Sequence, residues 1–218
     1  MKVIDLSHIL HPGKEPRTLD ITEIEAPSIT GAPSEEGWYI MHEVSMVSHI
    51  GTHLEVPYHC FPGGEDLAGL AAGRFVGEGV VLDLRDAPPK SGVTLEKVQE
   101  AAEAAGGIGK GAAVLCMTGM SQHYKTEKYS EAPYLTGEAV EWILSHNIKL
   151  LGIDTGGAGD PHKPDRENHL PIFRAGVIYI ENLTNLDKIP AKGAIVVALP
   201  PAIEGLESFP VRVVALVR

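Results

Sequence analysis

Cysteine is scarce: only Cys60 and Cys116 occur in 218 residues, with no CxxC pair. That leaves neither a disulfide framework nor a thiolate zinc site, and it favours a reducing cytoplasm. Long apolar runs are missing too. No stretch approaches the roughly 18 apolar residues of a membrane span. The start, MKVIDLSHIL, has one lysine and too short an apolar run for a signal peptide. The expectation is an untargeted, soluble, cytoplasmic protein. Positive charge is in deficit, because 18 Lys and Arg against 29 Asp and Glu leave a formal net charge of -11. Nucleic acid and anionic membrane surfaces both demand a basic face to displace counterions, so neither is expected and a small molecule is the expected partner.

What is present is an ordinary globular composition, 44% hydrophobic and 22% charged. One hydrophobic core can serve this length, since cores stop growing only near about 250 to 300 residues. A single domain over residues 1–218 is expected. Short β-branched runs predict strands at 80–84, 112–117, 150–154, 177–183, 194–199 and 211–217. LEKVQEAAEAA (95–105), stopped by Gly106-Gly107, predicts one helix, and EAVEWILSH (138–146) behind Thr136 predicts a second. Strand, helix and strand from 112 to 154 read as a βαβ unit, so the fold class is α/β or mixed α+β. The first 60 residues carry Pro12, Pro16, Pro27 and Pro33 and predict a strand, a long irregular excursion and further strands. DTGGAGDPHKPDREN (154–168) predicts a long polar loop, of a length more often functional than merely connecting.

The densest chemistry lies in HIGTHLEVPYH, residues 49–59, where His49, Gly51, His53, Glu55, Pro57 and His59 all fall on odd numbers. A strand would turn them to one face. A helical HxxxH reading fails, because Ile-Gly-Thr separates the two histidines and Pro57 follows within a turn. A straight strand would set the Cα atoms of His49 and His53 about 13 Å apart. Sharing one metal at bonds of about 2.0 to 2.1 Å then requires a bend, which Gly51 can supply. His53 and Glu55 suit joint coordination at about 7 Å along one face. His49, His53 and Glu55 thus form a three-ligand set with room for water, and His59 past Pro57 is placed to move a proton.

The same stretch resembles the HxGTHxDxPxH signature of the cyclase-like metal-dependent hydrolases, the family of bacterial kynurenine formamidase and isatin hydrolase. His49, Gly51, Thr52, His53, Pro57 and His59 match as written; Glu55 replaces the usual aspartate, keeping the carboxylate on one more methylene. IDLSH, Thr118-Gly119, PYLTGEAVEWILSHNIKLLGIDT, IENLTNLDKIP and VRVVAL follow the family layout in order. The resemblance implies a second ligand group, a histidine in the loop after the GIDT strand, His169 with His162 as its rival, and then Glu181. An acid at Glu181, within a strand-like apolar run, needs a metal or charged partner, or else turns inward from a sheet edge. The resemblance also implies a swivelling β/β/α domain and a homodimer or homotetramer. The expected cofactor is a zinc or manganese ion at His49, His53 and Glu55, joined by a second at Glu55, His169 and Glu181 where two are bound.

The expected activity is metal-assisted hydrolysis of a non-peptide C–N bond in a formamide or cyclic amide, with His59 carrying the proton. Lactone hydrolysis or cyclisation at the same site, and a non-catalytic metal or small-molecule binding protein, are the alternatives. Trp38, Tyr39, Phe61, His123 and Tyr124 are candidate pocket walls, each equally readable as packing. Asp154 and Asp160 could be ligands or turn and cap residues.

Overall fold

Apolar runs that can bury both faces occupy the middle of one large sheet. The computed structural model describes residues 1–25, 40–160, 163 and 166–218, so Trp38, Tyr39 and His162 lie outside the described residues. In chain order the elements are β1 (Lys2–Asp5), β2 (Leu19–Glu25), β3 (Ile40–Met46), β4 (His53–Glu55), β5 (Val76–Asp83) and β6 (Gly92–Val93). Then come α1 (Leu95–Ala104), β7 (Ala113–Met117), β8 (Tyr134–Leu135), α2 (Gly137–Ser145), β9 (Leu150–Ile153) and α3 (Arg166–Arg174). The chain finishes with β10 (Ile178–Glu181), β11 (Lys192–Val197), β12 (Ser208–Pro210) and β13 (Val214–Val217).

Among the described residues, nine strands form a mixed sheet in the order β1, β13, β11, β5, β7, β9, β10, β4, β12. Its centre, β5 to β7 to β9 to β10, is parallel. Both wings are antiparallel. Parallel strands need cover on both faces, which is why β7 and β9 read as unbroken apolar runs without alternation. Val80, Leu82, Val114 and Cys116 pack toward the helices with Val140 and Ile143. Val81, Leu115 and Ile180 enter a second core with Leu6, Leu54 and Val196 on the opposite face. The β7–α2–β9 unit is the expected crossover, with Ala113 opposite Leu150 in parallel register. Thr94 and Thr136 cap α1 and α2, their side chains accepting from Lys97 N and Ala139 N.

One expectation is corrected. The segment read as loop through residue 168 gives way at Arg166 to α3, which carries Pro171 inside it. Proline removes a backbone donor and disfavours a helix interior. Burial of Ile172 and Phe173, exposed by 0% and 3%, offsets that loss. The consequence is functional, because His169 sits on a helix rather than in a loop. Strands β2 and β3 form a separate antiparallel ribbon, and β6 pairs with β8. Among the described residues no helix is long and apolar enough to cross a membrane.

Candidate metal centre

Gly51 makes the turn on which the site depends. Its φ is +58°, a backbone conformation that favours glycine, and a Cβ there would lie 2.3 Å from Leu10 Cδ2, so the Leu10 side chain would have to move. The bend brings the rings of His49 and His53 to a centroid distance of 5.2 Å. Only His53 and Glu55 lie on strand; His49 precedes the bend and His59 ends a 3-10 turn opened by Pro57. The single strand face read from the odd-numbered spacing is therefore corrected to a bend, a three-residue strand and a turn. Strand β4 is held on both sides, with His53 opposite Glu181 of β10 and Pro210 of β12.

His53 Nδ1 is 2.8 Å from Gly51 O. A carbonyl only accepts, so Nδ1 carries the hydrogen and Nε2 of the neutral ring is a bare lone pair. That lone pair faces Glu55 Oε1 at 3.4 Å and Glu181 Oε2 at 3.5 Å. Among the described residues, neither His53 Nε2 nor Glu55 Oε2 has a hydrogen-bond partner, and both are buried. From α3, His169 Nε2 closes the ring at 3.6 Å from Glu55 Oε2 and 3.6 Å from Glu181 Oε1. A second group shares Glu55: His49 Nδ1 lies 2.8 Å from Glu55 Oε1. His49, Glu55 and His59 each offer a ligand atom, all within 4.8 Å of one another. His49 and His53, read from sequence as partners on one ion, thus fall into two groups that meet at Glu55.

These residues fit a divalent ion. His53, Glu55 and Glu181 are 3%, 3% and 7% exposed. Two carboxylates and an aimed lone pair in so dry a place repel one another unless a proton or cation lies between them. His53, Glu55 and Glu181 each offer a ligand atom within 4.8 Å of the others, and the separations of 3.4 and 3.5 Å from His53 Nε2 match the edge of about 3.4 Å that a tetrahedron with bonds of about 2.0 to 2.1 Å would have. A nitrogen and oxygen donor set without thiolate suits a hard or borderline divalent ion over a soft one. Burial works against charge on His53, yet the neighbouring carboxylates of Glu55 and Glu181 outweigh it and raise its pKa. Burial would also lift the Glu55 carboxyl, but His49 and His53 hold it far below the usual carboxylate range. Glu55 stays ionised, as a ligand must. Burial, resisted by Glu55 and reinforced by His49 and His169, lowers the pKa of His59 and keeps its ring a neutral base.

A cavity of about 650 Å³ opens on this cluster, with Arg17, His59, Tyr129, Tyr134 and Thr155 among its walls. Arg17 donates from Nη1 to His49 O at 2.9 Å. Tyr129 donates to Asn182 Oδ1 at 2.6 Å, and Asn182 Nδ2 donates to Gly51 O at 3.0 Å, bracing the bend. Asp154 is not at the centre: its carboxylate accepts from Thr118 N, Thr118 Oγ1 and Gly119 N, tying the end of β7. Asp160 is half-buried outside both donor groups. Phe61 packs on the helix-side core and Tyr124 stacks on His8 at 4.0 Å; neither these nor His123 line the cavity. Arg17 and Tyr129 carried no signal in the sequence, since each reaches the cavity from a segment remote from the motif.

Residues 4–159 match the family described as "Putative cyclase". The chain belongs to that family. Its cyclase-family relatives include an isatin hydrolase from Roseibium aggregatum, 27% identical, with 100% of this chain and 92% of the relative covered. A kynurenine formamidase from Bordetella avium is 28% identical, covering 79% of this chain and 78% of the relative. Among solved cyclase-like structures, isatin hydrolase A from Ralstonia solanacearum superposes with a TM-score of 0.83 at 26% identity, covering 100% of this chain and 92% of that one. An isatin hydrolase bound to the product analogue thioisatinate, at 24% identity and a TM-score of 0.84 over 99% and 92% of the two chains, shares the fold.

Proposed function

We propose that this cyclase-family chain is a metal-dependent hydrolase that cleaves a non-peptide C–N bond in a small formamide or cyclic amide, using one or two zinc or manganese ions. The observation that carries the reading is the bare, buried Nε2 of His53 aimed at Glu55 and Glu181. Similarity to an isatin hydrolase and to kynurenine formamidases supports it. His53, Glu55, Glu181 and His169 would hold one ion, and His49 would join from the other side of Glu55. When bound, the ion supplies Lewis acidity, polarising a carbonyl and making water a readier nucleophile near neutral pH.

The chain's own groups do the rest. His59, half-buried at the cavity wall and neutral, accepts a proton from the attacking water and returns it to the leaving nitrogen. Tyr129 and Asn182 keep the Gly51 bend in place while that proton moves. Arg17 gives the cavity a fixed positive group beside its acids. A homodimer or homotetramer belongs to the same proposal, supported by the apolar side chains Ile21, Ile40 and Val44, 48%, 55% and 49% exposed on the β2–β3 ribbon. The test is a panel of N-formyl amines, cyclic amides and lactones assayed with the ion-loaded protein. The reading expects turnover of amides above lactones; lactone turnover alone would overturn the C–N assignment, and turnover of neither would overturn the enzyme.

A further inference from the structure

Glu207 stands immediately before β12, whose Ser208 pairs with Glu55 of β4. Its carbonyl accepts from Val56 N at 3.0 Å, so its backbone is fixed against the strand that carries the ligands. Its carboxylate is fixed as well. Oε1 accepts from Ser48 Oγ at 2.7 Å and lies 3.2 Å from His49 Nε2. Ser208 Oγ in turn donates to Ser48 O at 3.4 Å. His49 is thus gripped at both ring nitrogens, with Glu207 on Nε2 and Glu55 on Nδ1.

An ionised carboxylate only accepts, and His49 faces one at each ring nitrogen, Glu55 at 2.8 Å from Nδ1 and Glu207 at 3.2 Å from Nε2. An ion on the Glu55 side would take the Nδ1 lone pair, and the hydrogen of the neutral ring would then sit on Nε2, facing Glu207. We propose that Glu207 is a positioning residue that fixes His49 as the Nε2–H tautomer and makes Nδ1 its ligating atom. The arrangement at His53 is the reverse: Gly51 O takes the Nδ1 hydrogen and Nε2 is left to bind. The two histidines on either side of the Gly51 bend therefore present opposite ring nitrogens to one carboxylate, Glu55. A partner on the outer nitrogen sets ring orientation and tautomer and raises ligand basicity. The assignment rests on the metal reading above.

The experiment uses the full chain loaded with zinc and labelled with ¹⁵N in its histidines, with zinc affinity measured by competition against a chelator. In the wild-type protein, His49 is expected to show a protonated Nε2 and a zinc-bound Nδ1. Glu207→Ala is expected to weaken zinc binding by about 10- to 100-fold. Glu207→Gln, which keeps an oxygen acceptor, is expected to lose less. A merely structural role would move the thermal unfolding of the metal-free variants and leave the His49 tautomer as it was. Ligation of His49 through Nε2, or Glu207→Ala binding zinc as tightly as wild type, overturns the assignment alone. A wild-type protein that binds no zinc overturns both this assignment and the metal reading.

Discussion

His53 and Glu181 are directly opposed residues of antiparallel neighbours, β4 and β10, and their side chains meet with Nε2 3.5 Å from Oε2. Two strands far apart in sequence are thus locked in register by the sheet at the point where a histidine and an acid must converge. A one-residue slip of β4 against β10 would turn His53 to the other face, away from Glu181.

That convergence predicts a trade between binding and stability at Glu181. Without an ion, the buried carboxylate stands against Glu55, and replacing it relieves repulsion. Metal-free Glu181→Gln should be the more stable protein by roughly 1 kcal/mol, a rise of about 2 to 4 °C in Tm for a chain of this size. Its zinc affinity should fall by more than the roughly 10- to 100-fold typical of an outer-shell partner. Calorimetry of the metal-free proteins and chelator competition check the two halves separately.

Saturating ion should stabilise the wild-type fold by mass action. At a free concentration of 100 times Kd the gain is about 2.7 kcal/mol, which corresponds to a Tm higher by roughly 5 to 11 °C. Thermal unfolding with and without excess chelator measures it. The same shift should be largely lost in His53→Ala.

His59 should separate chemistry from ion retention. His59→Ala is expected to lower kcat by about 10²- to 10⁴-fold, the range for a positioned proton carrier. At least one ion per chain should remain, because His53, Glu55, Glu181 and His169 are untouched. Steady-state kinetics on an amide substrate together with elemental analysis of the same preparation checks both parts.

Gly51→Ala should damage the fold and the site together. Its φ of +58° and the 2.3 Å approach to Leu10 Cδ2 leave no strain-free place for a methyl group. A loss of at least about 1 kcal/mol in stability is expected from the left-handed backbone alone. Because the bend sets the separation of His49 and His53, zinc affinity should fall in the same variant. Denaturant unfolding and chelator competition report the two effects.

Acid sensitivity should come in part from outside the metal cluster. Burial first, and then the charge of Lys125, lower the pKa of His8 from 6.5 to about 4, with Glu15 opposing. A depressed folded-state pKa means the unfolded chain takes up the proton first. His8 therefore contributes stability above pH 6.5, and that contribution is lost as pH falls toward about 4. Unfolding free energies across that window should fall less steeply for metal-free His8→Phe than for the metal-free wild type.

The sequence reading located the strands of the parallel centre and the two helices capped by Thr94 and Thr136, because those elements are dictated locally by apolar runs and caps. It also singled out His49, His53, Glu55 and His59, whose bend at Gly51 followed from the reach of a metal–imidazole bond. The partition of those residues was not legible, since it depends on which strands flank β4. The long-range pairing of β4 with β10 and β12 is what brings Glu181 to His53 and Glu207 to His49. Helix α3 was hidden by Pro171 and by the Gly/Pro-rich segment ahead of it, so His169 was expected on a loop. Arg17 and Tyr129 reach the cavity only through tertiary folding, and no local pattern marks them.

The central claim is that this cluster works on an amide only with a metal ion in it. The most direct measurement strips the protein with chelator, restores zinc or manganese in steps, and records amide turnover against bound ion per chain. Turnover should be absent at zero occupancy and rise in proportion to the ion bound. Metal-free protein that turns over the amide as fast as loaded protein would contradict the account.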